Sequence, residues 1–568
     1  MTISALLGEL RARGIVLACE GDELVVRSMK RALDPALVEA LRAHKPALRE
    51  LIRSGEYAAA TAASRTGPLV ELTGAEMERI AAGVPGGAGN VHDVYPLAPL
   101  QEGILFHHLV TREGDPYLSS MLYRFDRRDE LDRYLGALQA VVDRHDVLRT
   151  SIAWEGLREP VQVVWKQAPL AVDEVELDPA DGDVAEQLHA RFDPRHHRID
   201  LGTAPLLRAH VARDPAAGRW LLLLLRHHLV SDHTTLDVLH AEIEAHLAGR
   251  ADTLPPPLPF RTFVARARLG VSPDEHREFF TGLLGDVDEP TAPFGVLEVR
   301  GDGSAMREAR LAVDERLGAR LRERARALGV SAASVFHAAW ALVLARASAR
   351  DDVVFGTLLV GRMHGGEGAD RVMGPFINTL PIRIRAGEAG VEATVRRTHA
   401  LLAELLRHEH ASLALAQRCS GVEAPAPLFT TLLNYRHTTR KTGANAPAGG
   451  MRIVHGEERT NYPLVLSVDD LGDGFSLKGQ VAHPSLDPLR VCGFVHRALE
   501  GIVGALETAP ERAMESIDVL PRAERRRVLE EWNRTDADYP AGSCIHQLFA
   551  AQVERAPDAV AVVHAGAP

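Results

Sequence analysis

The feature that most constrains the fold is the apolar run 220–225, which leads through Arg226 into two histidines, His227 and His228. A short, continuous apolar run bounded by polar residues is typical of a strand buried on both faces. Ser231 and Asp232 follow, which are favourable helix N-cap residues, and apolar residues then recur at helical spacing. The sequence therefore predicts a strand, a turn and a helix, with the histidine pair at the rigid junction between them.

The two histidines are adjacent, so an extended backbone points their rings to opposite faces. We predict that His228 faces a cleft and acts in catalysis, whereas His227 supports the turn. Asp232 either holds an imidazole tautomer or pairs with an arginine that braces the loop. Two alternatives use the same stretch. The histidines could be structural and partly buried, or His228, Asp232 and His233 could bind a metal by residue type. We favour a site without metal.

Length and composition bound the class of protein. The 568 residues fit about three to four domains, and 46% hydrophobic with 25% charged residues is ordinary for a globular protein. The net charge of −12 argues against a nucleic-acid partner. No apolar run approaches the about 20 residues of a membrane span, and no secretory signal opens the chain. The four scattered cysteines favour a reducing cytoplasm, so we expect a cytoplasmic protein without nucleic-acid or membrane partners.

Further motifs occur in a fixed order over about four hundred residues. The stretch His-His-x-x-x-Asp at 227–232 resembles the active-site signature of the condensation domains of nonribosomal peptide synthetases. This chain has His233 where that family has glycine. Segments 95–106, 144–151, 361–362 and 373–383 resemble other core motifs of the family, and 428–435 is predicted to be a strand that carries amide and phenol groups.

The resemblance implies an α/β (α+β) fold of two lobes similar to chloramphenicol acetyltransferase, joined as a V-shaped pseudo-dimer around a tunnel. It implies that His228 manages the proton of an attacking amine. Arg149 is the first candidate to pair with Asp232, and Arg144 is the second. Four residues are expected to line the tunnel or bind substrate: Gly374, Asn378, Asn434 and Tyr435.

A second histidine doublet lies upstream. His107 and His108 are followed by Leu109 and, after four more residues, by Gly114-Asp115. This pattern resembles the dual epimerisation/condensation subgroup, so His107 and His108 are further candidate catalytic residues. Helical spacing turns adjacent side chains to different faces, so at most one of them is expected to face the tunnel. Alternatively, two histidines at a helix C-terminus complement the helix dipole.

The chain divides into five predicted parts. Residues 1–55 have the order αββαα and resemble TubC-type docking domains; another small α/β domain or a helical oligomerisation unit is the alternative. Residues 56–90 are a linker, 91–258 and 259–520 are the two lobes, and 521–568 resemble a linker and the start of an adenylation domain. We expect an excised piece of a longer synthetase, without an amino-acid-activating site.

The implied reaction joins a donor acyl or peptidyl thioester to an acceptor aminoacyl thioester, with inversion of the donor α-carbon from L to D. The partners are an upstream carrier protein with the C-terminal docking tail of its subunit, a downstream carrier and an adenylation domain. The domain binds no cofactor itself; the 4′-phosphopantetheine arms belong to the carriers. Three alternatives remain: a condensation domain without epimerase activity, an inactive carrier-docking module, and a different acyltransferase that uses His227-x4-Asp232.

Overall fold

The computed structural model describes residues 69–297, 306–361, 371–437, 451–456, 462–538 and 540–564, two strands before residue 29 and scattered positions between 40 and 49. The chain forms two compact units, residues 1–519 and 520–568. Within the described part, no single helix is long and apolar enough to cross a membrane. One pair, Glu315–Leu328 and Ala332–Ser348, meets the length and composition test together but is bent by 109°.

The N-terminal hairpin is confirmed. Strands β1 (Val16–Glu20) and β2 (Glu23–Ser28) pair antiparallel. The predicted turn at 21–22 and the first helix of the αββαα order lie outside the described residues, as does most of the segment predicted as the last two helices.

The first lobe contains a three-stranded and a five-stranded sheet, with strand orders β3-β6-β5 and β14-β4-β9-β8-β7, in which β14 is Arg452–Gly456. The helices and strands from residue 74 to 284 are α1 (Gly74–Ala82), β3 (Val91–Pro96), α2 (Pro99–Val110), β4 (Leu118–Phe125), α3 (Arg128–Arg144), β5 (Thr150–Ala153), β6 (Val161–Trp165), β7 (Ala171–Val175), α4 (Val184–Arg191), β8 (Leu207–Asp214), β9 (Arg219–His227), α5 (His233–Leu247), α6 (Phe260–Leu269) and α7 (Pro273–Leu284).

Strand β9 is the buried strand that the apolar run predicts. Its residues 221–225 are at most 1% exposed, because β4 and β8 flank it in the sheet and both sheet faces are covered. Asp232 caps α5 as expected. The predicted strand–turn–helix junction is therefore confirmed.

The second lobe is a six-stranded mixed sheet with the order β10-β16-β15-β13-β11-β12. Its helices and strands, with β14 and the two helices of the second unit, are β10 (Arg307–Ala312), α8 (Glu315–Leu328), α9 (Ala332–Ser348), β11 (Asp352–Leu359), β12 (Asn378–Arg385), α10 (Val391–Arg407), α11 (Leu413–Arg418), β13 (Thr431–His437), β14 (Arg452–Gly456), β15 (Leu464–Asp470), β16 (Phe475–Val481), α12 (Pro488–Thr508), α13 (Arg522–Arg526) and α14 (Ile545–Arg555).

Helix α9 is the central helix of the second lobe. Ser331 accepts a hydrogen bond from the N–H of Ser334 at its start, and every residue from 334 to 345 is buried. A helix that is apolar on all sides belongs inside a core, so the predicted capped, buried helix is confirmed.

Strand β14 lies between β13 and β15 of the second lobe in sequence but pairs with β4 of the first lobe. The two lobes therefore share one sheet, which the sequence pattern did not predict.

Candidate active site

The turn after β9 is held by backbone hydrogen bonds. The N–H of His228 donates to the carbonyl of Tyr117 at 2.9 Å, and the N–H of His227 donates to Leu206 at 3.1 Å. His227 is fully buried, whereas His228 is half-buried. The adjacent rings thus occupy different environments, with His227 inside the protein and His228 at the surface of the turn.

His227 belongs to a buried cluster with two residues from α2 and the loop that follows it. Oδ2 of Asp115 lies 3.1 Å from Nε2 of His227 and 2.5 Å from Nδ1 of His108. The other carboxylate oxygen accepts the N–H of Tyr117 at 2.9 Å. One carboxylate therefore joins both histidine doublets and also orders the segment that holds His228.

The charge state of this cluster follows from its hydrogen bonds. Burial alone raises the pKa of Asp115, but hydrogen bonds from His108 and His227 outweigh it and hold the pKa well below its usual range. Burial lowers the pKa of His227, and Asp115 offsets this only in part. An ionised carboxylate between two imidazoles is therefore the stable arrangement near neutral pH.

The loop that carries Asp115 is fixed by Arg198. Its guanidinium donates to the carbonyl oxygens of His108 at 2.6 Å and of Thr111, and it lies 3.3 Å from that of Gly114. Gly114 has φ +66°, and a Cβ there would lie 2.1 Å from the carbonyl oxygen of Arg195. Only glycine fits this approach, which explains the glycine before Asp115.

A buried amide pair holds the histidine turn from the other side. Nε2 of Gln101 lies 2.8 Å from both the carbonyl oxygen of Leu229 and Oε1 of Gln162. The N–H of Leu229 donates to Nδ1 of His227 at 3.1 Å. Both sides of the Leu229 backbone are thus fixed, so the peptide after His228 has a defined orientation. Gln101 lies in the first core motif, but its role was missed because its partner is 128 residues away.

Asp232 connects the start of α5 to the second lobe. Its Oδ1 accepts the N–H of Thr235 at 2.8 Å, and its Oδ2 lies 3.3 Å from the N–H of Phe376. Oγ1 of Thr235 also accepts the N–H of Gly374 at 3.0 Å. His233 lies in the first turn of α5 and is not among the residues with positive φ. The replacement of the family's glycine by histidine therefore needs no unusual backbone.

The predicted pairing of Asp232 with an arginine is wrong for both candidates. Nη1 of Arg149 donates to the carbonyl oxygens of Trp165 and, at 3.2 Å, Lys166. Arg144 bonds Glu242 at 3.1 Å and the carbonyl of Pro255. The order of the motifs suggested that these arginines lie near the turn, but their long side chains reach other groups in the folded chain.

The four predicted tunnel residues have different surroundings. Gly374 has φ +138°, and a Cβ there would lie 2.3 Å from the ring of Phe260, so it allows close packing. Nδ2 of Asn378 lies 2.7 Å from the carbonyl oxygens of both Glu409 and Ala411. Both of its donors are therefore used inside the protein, and its place in the tunnel or at the substrate stays a prediction.

On β13, Asn434 is half-buried and the hydroxyl of Tyr435 donates to Asp470 at 2.7 Å. Burial raises the pKa of Tyr435, and the bond to Asp470 raises it further. Tyr435 is therefore held as a neutral phenol.

The two residues of the upstream doublet lie on different faces of α2, as helical spacing predicts. His108 is 7% exposed, whereas His107 is exposed and its ring contacts those of Phe106 and Tyr117.

His108, Asp115 and His227 are also residue types that bind metals, and their ligand atoms lie within 4.8 Å of one another. Nδ1 of His227, however, accepts the N–H of Leu229. A neutral imidazole then carries its proton on Nε2 and has no lone pair there for a metal. The geometry fits a hydrogen-bonded cluster. The predicted alternative of His228, Asp232 and His233 is not among the potential ligand groups of the described residues.

Residues 91–529 match the family model of the condensation domain. The chain belongs to the condensation domain family. Residues 3–53 match the model of the TubC N-terminal docking domain, so both predicted families are confirmed.

Synthetases of several sources resemble the chain. Malpinin synthetase of Mortierella alpina is 47% identical over 497 residues, which cover 88% of this chain and 6% of that protein. Bacitracin synthase 3 of Bacillus licheniformis is 27% identical over 498 residues, covering 83% of this chain and 8% of that protein. The chain thus spans less than a tenth of the length of these relatives.

Solved structures confirm the fold. A four-domain nonribosomal peptide synthetase bound to AMP and glycine gives a TM-score of 0.64 at 14% identity, covering 82% of this chain and 36% of that one. A cyclization-docking bidomain from Sorangium cellulosum gives 0.56 at 18% identity, covering 90% of this chain and all of that one. The predicted pair of acetyltransferase-like lobes is confirmed.

Proposed function

We propose that this condensation domain forms an amide bond between a donor acyl or peptidyl thioester and the amine of an acceptor aminoacyl thioester. Both substrates would be delivered on the 4′-phosphopantetheine arms of carrier proteins, one upstream and one downstream. The observation that carries the proposal is the turn that presents His228, whose neighbouring peptides are fixed by Tyr117, Gln101 and Asp115. A reducing, cytoplasmic setting fits the free Cys419, Cys492 and Cys544.

In this reaction the protein has two tasks, to position the two substrates and to handle the proton of the attacking amine. A thioester is already activated, so holding amine and carbonyl in line supplies most of the acceleration, up to about 7–11 kcal/mol in well-oriented cases. An imidazole accepts or orients the amine proton at neutral pH. We assign this role to His228, and the support of its turn to His227.

We propose in addition that the domain inverts the donor α-carbon from L to D before transfer. The support is the buried carboxylate of Asp115, which places the upstream doublet next to His227. Inversion requires a base on one face of the α-carbon and an acid on the other. The two doublets together provide imidazoles for both roles.

The test of transfer uses donor and acceptor carriers loaded in single turnover. His228→Ala is expected to lower transfer by about 10²- to 10⁴-fold, the usual contribution of a positioned general base. His246→Ala, in the last turn of α5, is the matched control and should transfer at the wild-type rate. An unchanged rate in His228→Ala with folded protein would refute the assignment.

The test of inversion follows an L-configured donor in deuterium oxide. The expected product carries a D residue with deuterium at its α-carbon. Transfer of the L donor without deuterium uptake would indicate a condensation domain without epimerase activity. Carrier binding without any transfer would indicate a docking module.

We further propose that residues 1–55 bind the C-terminal tail of an upstream synthetase protein. The described hairpin β1–β2 offers strand edges for an extended peptide. Arg27 of β2, with Lys30 and Arg31 after it in the sequence, favours an acidic one.

A further inference from the structure

We infer that Asp115 is a positioning residue that makes Nε2 of His108 the base which removes the donor α-proton. The inference rests on the proposed epimerisation and names its base. The observation behind it is a single carboxylate oxygen shared by His108 and His227, with N···O distances of 2.5 and 3.1 Å.

The hydrogen-bond pattern fixes both tautomers. Nδ1 of His227 accepts the N–H of Leu229, so its Nε2 carries the proton and donates it to Asp115. The same carboxylate oxygen is an acceptor only, so Nδ1 of His108 must also donate. Neutral His108 is left with its lone pair on Nε2, which is the arrangement that an Asp–His pair gives to a general base.

Exposure separates the two imidazoles on Asp115. The His227 side chain is 0% exposed, so this residue touches no substrate, whereas His108 keeps 9% of its side-chain surface. Among the residues that the structure describes, nothing hydrogen-bonds Nε2 of His108, and that atom is not among the buried polar atoms without a partner. Nε2 is therefore the edge of the ring that solvent, or a donor substrate, reaches.

His107 lacks these features. It is exposed, and its ring contacts those of Phe106 and Tyr117. No described carboxylate holds its tautomer. The charged and titratable groups around His108 are Asp115, His227 and His107, with Arg198 on its carbonyl and Tyr117 after the loop.

The step balances as a two-base inversion. The Cα–H bond of the L donor breaks, its proton goes to Nε2 of His108, and the electron pair moves into the thioester carbonyl as an enolate. Protonated His228 then donates a proton to the opposite face, the electron pair returns to the α-carbon, and the D thioester results. Proton exchange with water restores both histidines, which brings deuterium into the product.

Two substitutions remove the proposed base function while keeping a hydrogen bond between positions 108 and 115. In His108→Asn, the amide nitrogen takes the place of Nδ1 and still donates to Asp115, but no Nε2 remains. In Asp115→Asn, one oxygen still accepts a hydrogen bond, but the amide no longer fixes the His108 tautomer. His107→Asn is the matched control on the same helix. All are made in the full chain, and thermal unfolding is recorded for each.

For each variant, deuterium uptake into a carrier-bound L donor is compared with transfer of a ready-made D donor. We expect His108→Asn to lose about 10²- to 10⁴-fold in uptake while D-donor transfer stays within about threefold. Asp115→Asn should lose at least as much in uptake. His107→Asn should behave as wild type. In Asp115→Asn the pH profile of the residual uptake should differ from that of the wild type, because no carboxylate then holds the His108 tautomer.

Other results overturn the inference. Equal losses of uptake and D-donor transfer in His108→Asn would make His108 and Asp115 only a structural support of the His228 turn. Loss in His107→Asn but not in His108→Asn would move the base to His107. If Asp115→Asn does not fold, His108→Asn alone decides, since it keeps the donor to Asp115. If the wild type takes up no deuterium, the proposed epimerisation itself is refuted. If only the variants fail to show the expected losses, the choice of base is refuted and the epimerisation is not.

Discussion

Asp232 offers the most direct test of how the active-site turn is stabilised. Its side chain caps α5 through the N–H of Thr235 at 2.8 Å and reaches the N–H of Phe376 at 3.3 Å in the second lobe. Asp232 is 3% exposed, so water does not replace these bonds when the carboxylate is removed.

Asp232→Ala removes an N-cap, worth about 1 kcal/mol, and leaves the buried N–H of Phe376 without this acceptor, at about 1–3 kcal/mol. The expected loss in the free energy of unfolding is therefore about 2–4 kcal/mol. Asp232→Asn keeps an oxygen for the cap, but its NH2 group then faces the N–H of Phe376 and cannot accept from it, so we expect about half that loss.

The assay is urea unfolding followed by tryptophan fluorescence, with single-turnover transfer measured on the same preparations. Asp487→Ala is the matched control, because Asp487 caps α12 through the N–H of Leu489 at 2.9 Å and is exposed. The control should lose about 1 kcal/mol and keep its transfer rate. If Asp232→Ala lost no more stability than the control, the link from the turn to the second lobe would be refuted.

Four further outcomes are expected. Gln101→Leu should lower the free energy of unfolding by about 1–3 kcal/mol and slow transfer, since the buried oxygens of Leu229 and Gln162 lose their donor. Wild-type stability and transfer would contradict the role of Gln101 in holding the turn. Arg149→Ala combined with Asp232→Ala should be additive within about 0.5 kcal/mol, whereas coupling would indicate the arginine pair that the contacts do not show. Burial lowers the pKa of His337 to about 4 from 6.5, so the unfolded chain protonates first and stability falls between about pH 6.5 and 4; His337→Gln should flatten this slope. Finally, the full chain should bind an acidic upstream tail more weakly at high salt, and deletion of residues 1–55 should abolish binding; equal binding without them would contradict the docking role.

Local patterns carried most of the predicted secondary structure near the site. The run 220–225, the cap at Asp232 and the apolar helix from 332 to 348 are each defined by neighbours within a few residues. Burial periodicity and capping act over one or two turns, so the sequence is enough to recognise them. The position of the histidine pair between strand and helix was predicted from the same local patterns, and the order of the motifs indicated the family.

Tertiary structure decided which side chains meet. Asp115 and His227 are 112 residues apart, and Asp232 and Phe376 are 144 apart. The sequence predicted Arg149 as the partner of Asp232, yet Arg149 bonds backbone carbonyls, and Asp232 accepts a backbone N–H from the second lobe. Likewise, β14 joins a sheet of the other lobe. Such contacts depend on how sheets and loops pack in space, which no local period encodes. The buried strand, its capped helix and the histidines between them follow from local sequence, whereas one carboxylate lies between the two doublets only in the folded chain.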